Sequence, residues 1–191
     1  MALRDEINTA RAQIQSDMYS DDEVYNKFVD KIYQCRIIAP IKEFLTSNAS
    51  AKSFCQDVPF YSETIYVHSD EISRYRKESP IYDISHGEDH HCVKMKPLYQ
   101  FERKGSFGKN KIIYITDLGK KVLKTLRAMA EKDGVIIEGP KAEYYCEYDA
   151  WGTTKRRYYY PNIGEWFAGK DPQNWHYSSS GYALLTIKFN L

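Results

Sequence analysis

Residues 99–134, YQFERKGSFGKNKIIYITDLGKKVLKTLRAMAEKDG, decide how this chain is read. Leu98 to Glu102 and Lys111 to Ile115 are rich in β-branched and aromatic residues. Between them Gly105, Ser106, Gly108 and Asn110 tolerate turn geometry, so the segment predicts a β-hairpin. Thr116 then stands where an N-cap belongs, and Asp117 suits the positive end of a helix dipole. Leu118, Val122, Leu123, Leu126, Met129 and Ala130 recur at helical spacing and form one apolar stripe, with Lys120, Lys121, Lys124 and Arg127 largely opposite. Gly134 supplies the C′ stop. The expectation is a hairpin feeding a basic amphipathic helix over residues 117–132.

Outward from that block, the N-terminal quarter reads as helical. Leu3, Ile7, Ala10, Ile14 and Met18 recur at helical spacing, and Ser20-Asp21-Asp22-Glu23 is a capping box for a second helix through Val24, Phe28, Ile32 and Cys35. Pro40 either ends that helix or opens a third carrying Ile41, Phe44 and Leu45. Strands are expected at Phe60 to Val67, at Val135 to Glu138 and at Tyr182 to Asn190, with one helical turn between Asp70 and Lys77. A second hairpin is centred on Ala150-Trp151-Gly152, with Glu147 facing Lys155 and Tyr144 facing Tyr158. Tyr82 to Cys92 has no clear period, and Pro161 to Ser180 reads as a long loop. The sum is an α+β chain: an N-terminal helical hairpin over residues 1–50, then over 51–191 a mainly antiparallel sheet of about five or six strands with one basic helix, as two regions or one domain.

At 191 residues, 42% hydrophobic and 28% charged, the chain can bury a core. No basic start followed by an apolar segment and no long apolar run occurs, so a cytoplasmic protein with no membrane partner is expected. Cys35, Cys55, Cys92 and Cys146 lack paired spacing and read as reduced, mostly packed thiols. Net charge is only +1, yet it is segregated: residues 1–30 hold three basic and seven acidic groups, residues 94–127 ten basic and two acidic. A segregated basic stretch is the footprint of an anionic partner.

Particular residues point to particular chemistries. Arg103, Lys104, Lys109 and Lys111 on the hairpin, with Lys120, Lys121, Lys124 and Arg127 on the helix, are candidate phosphate contacts. Lys155 and Arg157 beside Tyr159 combine cations with an aromatic face, the pairing that single-stranded nucleic acid or a free nucleotide calls for. His86, His90, His91 and Cys92 are candidate zinc ligands, and with Glu88 or Asp89 as base they would suit a small metal-dependent hydrolase. Glycines 105 and 108 are hairpin chemistry, since the glycine-rich phosphate loop of kinases needs a further glycine where Arg103 stands. No nucleophile motif occurs, so an enzyme is not expected and no cofactor beyond zinc is called for.

The block 99–130 also resembles the wing and closing helix of winged-helix transcription regulators, through Ile115-Thr116-Asp117-Leu118-Gly119 and the aliphatic residues after it. The resemblance implies that Lys104, Lys109 and Lys111 meet phosphates, and that a recognition helix precedes the wing. The segment in that place, Asp83 to Pro97, carries Gly87 and no helical period. The leading expectation is therefore a non-enzymatic binding protein engaging nucleic acid or a nucleotide. The alternative is a protein–protein interaction module or inhibitor acting on a larger machine, as a phage or mobile-element protein would.

Overall fold

The computed structural model describes residues 3–87, 91–104, 110–149, 153–160 and 177–191; within these, only the backbone is described for 3–4, 14–16, 101–104, 110–113, 142–149, 153–160 and 177–182. In chain order the N-terminal part runs α1 (Leu3–Asp17), α2 (Asp21–Ile32), a π-helical turn (Tyr33–Ile38) and α3 (Ala39–Ser47). Next come β1 (Ser53–Pro59), β2 (Thr64–Val67), a 3-10 turn (Ile72–Arg74), β3 (Tyr82–His86) and β4 (His91–Met95). The hairpin strands β5 (Tyr99–Lys104) and β6 (Asn110–Ile115) lead into α4 (Asp117–Lys132). The chain finishes with β7 (Val135–Asp149), β8 (Thr153–Tyr160) and β9 (Tyr177–Asn190).

The class is α+β, with a helical N-terminal segment followed by antiparallel sheets. The nine described strands form three sheets, of order β1-β9-β7-β8, β2-β4-β3 and β5-β6, where the sequence pattern suggested one sheet of five or six. They belong to two compact units that interleave along the chain: residues 1–30 with 63–96, and residues 31–62 with 97–191.

In the first unit the capping box forms as its residues dictate. The Ser20 amide donates to Glu23 Oε2 at 2.7 Å and the Glu23 amide to Ser20 Oγ at 3.2 Å. These bonds hold the Glu23 carboxyl below its ordinary value, the backbone amide being the larger cause. Val24, Tyr25, Phe28 and Val29 are buried on one side of α2. α1 is helical, but residues 5–13 are all exposed and Ile7 keeps 43% of its surface, so Ile7 and Ala10 of its stripe are not core. Tyr75 is buried with its ring 5.0 Å from that of Tyr19 and edge-on to Tyr82 at 6.0 Å. Lys27 Nζ lies 3.7 Å above the Tyr19 ring and the Arg74 guanidinium 4.2 Å from it, a cation–aromatic stack on the outside of that cluster.

Tyr82 to Met95 is a hairpin, which corrects both the unassigned reading of this stretch and the recognition helix implied by the winged-helix resemblance. β3 and β4 pair Tyr82 with Met95, Ile84 with Val93 and His86 with His91. Tyr82, Val93 and Met95 are buried, while Asp83, Ser85 and Lys94 are exposed. The alternation is that of a half-buried strand pair.

In the second unit β9 is central to its sheet. Ala183, Leu185 and Ile187 are buried on one face, as their spacing predicts, and meet Phe54 and Val58 of β1 and Val135 and Ile137 of β7 in the core. Val122, Leu123, Leu126 and Ala130 of α4 are buried in the same unit. β7 continues through what read as two separate strands. Between Glu138 and Lys141 the register slips against β9, a bulge made possible by Gly139 at φ +97°. The outer face carries ion pairs, Lys188 with Glu138 and Lys141 with Asp57, each at 2.6 Å.

The π-helical turn follows from Pro40. Proline has no N–H to give the Arg36 carbonyl, and the Ala39 amide donates to Gln34 O, five residues back. α3 then begins with that proline in its first turn, so Pro40 both breaks the regular pattern and starts the next helix. Among the described residues no helix is long and apolar enough to cross a membrane.

Candidate nucleic-acid interface

The basic helix is built where the sequence places it. Thr116 is its N-cap: the Gly119 amide donates to Thr116 Oγ1 at 3.0 Å, while that hydroxyl donates to the Pro97 carbonyl at 2.8 Å. The Thr116 amide donates to Leu98 O at 3.1 Å. One residue therefore ties the start of α4 to the start of β5. Gly119 completes the seat, since a Cβ there would lie 2.0 Å from the Leu98 carbonyl oxygen. The hairpin and the helix consequently share one support.

Lys120, Lys121 and Lys124 are exposed on α4. Lys120 meets Asp117 at 2.9 Å, in an ion pair open to solvent on both sides and therefore weak. Arg127 is also exposed, but its guanidinium donates to the Gly139 carbonyl at 2.6 Å and so braces the bulge of β7. It is a structural bond as well as a charge. Near the first turn, lysines sit against the dipole preference, which favours anions at that end by about 0.3–1 kcal/mol per charge. Helix dipole and ammonium groups thus add to one positive field.

On the hairpin, the backbone register sets Arg103 opposite Lys111 and Lys104 opposite Asn110. On β8 it sets Lys155 opposite Glu147, Arg157 opposite Tyr145 and Tyr159 opposite Glu143, with Tyr144 facing Tyr158. The two pairs expected for this hairpin are both found. The side chains of Arg103, Lys104, Lys111, Lys155, Arg157 and Tyr159 lie outside the described residues, as does Lys109 altogether. So do residues 161–176, which hold Trp166, Phe167 and Trp175.

The histidine-rich stretch is partly assembled. His86 Nδ1 and His91 Nδ1 stand 3.0 Å apart across β3 and β4, and strand alternation turns Cys92 to the opposite face, where its Sγ lies 2.7 Å from Ser85 Oγ. His90 falls outside the described residues. Among the described residues no group of three or more His, Cys, Asp or Glu could hold a metal ion. Cys35 and Cys55 are exposed free thiols, which corrects the expectation that the cysteines are mostly packed.

One feature escaped the sequence. A groove of about 590 Å³ opens between the π-helical turn with α3 and the end of the sheet, walled by Ile38, Ile41, Leu45, Val135 and Phe189. Tyr33, buried beside it, donates to Asp133 Oδ2 at 2.5 Å. Burial first, and that carboxylate second, push the phenol well above its ordinary value. Pro40 behind a helical run was the available signal for irregular backbone here.

No protein-family model matches the chain, no curated protein matches it, and no solved structure matches it.

Proposed function

We propose that this is a non-enzymatic binding protein whose hairpin β5–β6 and helix α4 engage nucleic acid through its phosphates. The observation that carries the reading is the exposure of Lys120, Lys121 and Lys124 on a helix fixed to a basic hairpin by Thr116 and Gly119. Lysines placed against the helix dipole weaken the helix slightly and strengthen the field an anion meets. Phosphate contacts of this kind position a protein without reading bases. Lys155, Arg157 and Tyr159 on β8 are assigned to the same function, as charges and a stacking face for unpaired bases or a nucleotide.

The test is fluorescence anisotropy with labelled single- and double-stranded oligonucleotides at low and physiological salt. Binding that weakens steeply with salt supports the reading. Binding indifferent to salt, or none at low salt, removes it.

A further inference from the structure

We propose a second site, remote in chemistry from the basic helix: a cis-chelating pair of imidazoles, His86 and His91, for a divalent late transition-metal ion. The two residues are register partners across the antiparallel strands β3 and β4. Their rings lie 4.9 Å apart, inclined at 78°, and present Nδ1 to Nδ1 at 3.0 Å. His86 is exposed and His91 half-buried, with Val67 of β2 in register on the far side of His91. One wall is therefore apolar strand and the other is open to water.

The separation is one that a shared ion can span. With metal–nitrogen bonds of about 2.05 Å, nitrogens at this spacing subtend roughly 94° at a shared ion. A tetrahedral ion such as Zn²⁺ would set them about 3.3 Å apart, whereas cis ligands of a tetragonal or octahedral ion stand near 90°. Imidazole also suits Ni²⁺ and Cu²⁺ as a donor. Zn²⁺, Ni²⁺ and Cu²⁺ are all taken by imidazole nitrogen, with water in the remaining positions. Without metal, one ring donates its Nδ1–H to the Nδ1 of the other. On chelation that proton moves through solvent to Nε2 of the same ring, so both rings bind through Nδ1 with the N–H on Nε2. Cys92 takes no part, because it lies on the opposite face with Ser85. This differs from a three-ligand catalytic zinc centre, and it rests on none of the nucleic-acid reading.

Ni²⁺ is the probe, since it does not oxidise the exposed thiols. Isothermal titration of the tag-free chain with Ni²⁺ is expected to give one ion per chain. Affinity should fall at least tenfold in His86→Gln and again in His91→Gln, and stay unchanged in His68→Gln and Cys92→Ser. The two histidines are the last register pair of β3 and β4, away from the buried Tyr82–Met95 end, so circular dichroism should report an unaltered fold in each variant. Equal stoichiometry and affinity in the double variant His86→Gln/His91→Gln would overturn the assignment.

Discussion

Gly119 and Leu98 approach so closely that a side chain on the first would occupy the carbonyl oxygen of the second: an added Cβ would lie 2.0 Å from Leu98 O and 2.6 Å from Ile115 Cγ2. The helix is helical at this point, so the glycine is required by space and not by backbone angle. Gly119→Ala should therefore lower stability by about 1–3 kcal/mol, the range for overpacking a filled site. A change on the exposed side of the same helix, Ala128→Ser, should stay within about 0.5 kcal/mol. Urea unfolding followed by circular dichroism distinguishes them; equal effects would mean that α4 does not rest on the Leu98 backbone.

Thr116 acts through its hydroxyl. Thr116→Val keeps the shape and removes both the cap on Gly119 N and the bond to Pro97 O. A loss of about 1–2 kcal/mol is expected, most of it restored in Thr116→Ser. If serine behaves like valine in the same unfolding experiment, the methyl group and not the oxygen is what matters.

Asp57 gives the outer face of the sheet a pH dependence. Burial alone would raise its carboxyl, but the bonds from Lys141 and Thr186 outweigh that and leave it below its ordinary value of 3.8. A carboxyl lowered in the folded state stabilises at neutral pH, and that stabilisation is lost as pH falls from the ordinary value through the depressed one. Lys141→Gln should thus be less stable than the parent at pH 7, with the gap narrowing below about pH 4. A gap that widens on acidification would contradict the assignment.

Ser20 and Glu23 form their reciprocal pair in full view of solvent, so the capping box can be tested cleanly. Ser20→Ala should cost about 1 kcal/mol. Thermal melts of the variant and parent at neutral pH measure it, and an unchanged midpoint would show that α2 is held by its buried face alone.

The parts legible in the sequence were those whose periodicity is carried by several residues. α4 with its threonine cap and glycine stop, the capping box, the inward face of β9 and the register of β7 with β8 all follow from local pattern. The β3–β4 pair was hidden because each strand is short, β3 ending and β4 beginning in histidine, so Tyr82-Asp83-Ile84 and Cys92-Val93-Lys94 alternate for too few residues to stand out. β1 offers only Phe54 and Val58 as inward apolar positions, and it tolerates Pro59 at its end because it is the edge strand of its sheet. Of the single strand expected from Phe60 to Val67, only the last part, β2 (Thr64–Val67), is strand. Of the candidate sites, exposure of the α4 lysines followed from helical spacing. The partnership of Arg127 with Gly139 did not, because it spans a bulge whose presence no local pattern signals.

The salt dependence of oligonucleotide binding by the parent chain and by the triple variant Lys120→Ala/Lys121→Ala/Lys124→Ala tests the central claim most directly. Each phosphate contact contributes about 0.9 to the slope of log affinity against log salt on duplex DNA and about 0.7 on single strands. If all three lysines meet phosphates, the variant should bind more weakly and its slope should be shallower by about 2–3. Equal affinity and equal slope in the two proteins would contradict a nucleic-acid interface on α4.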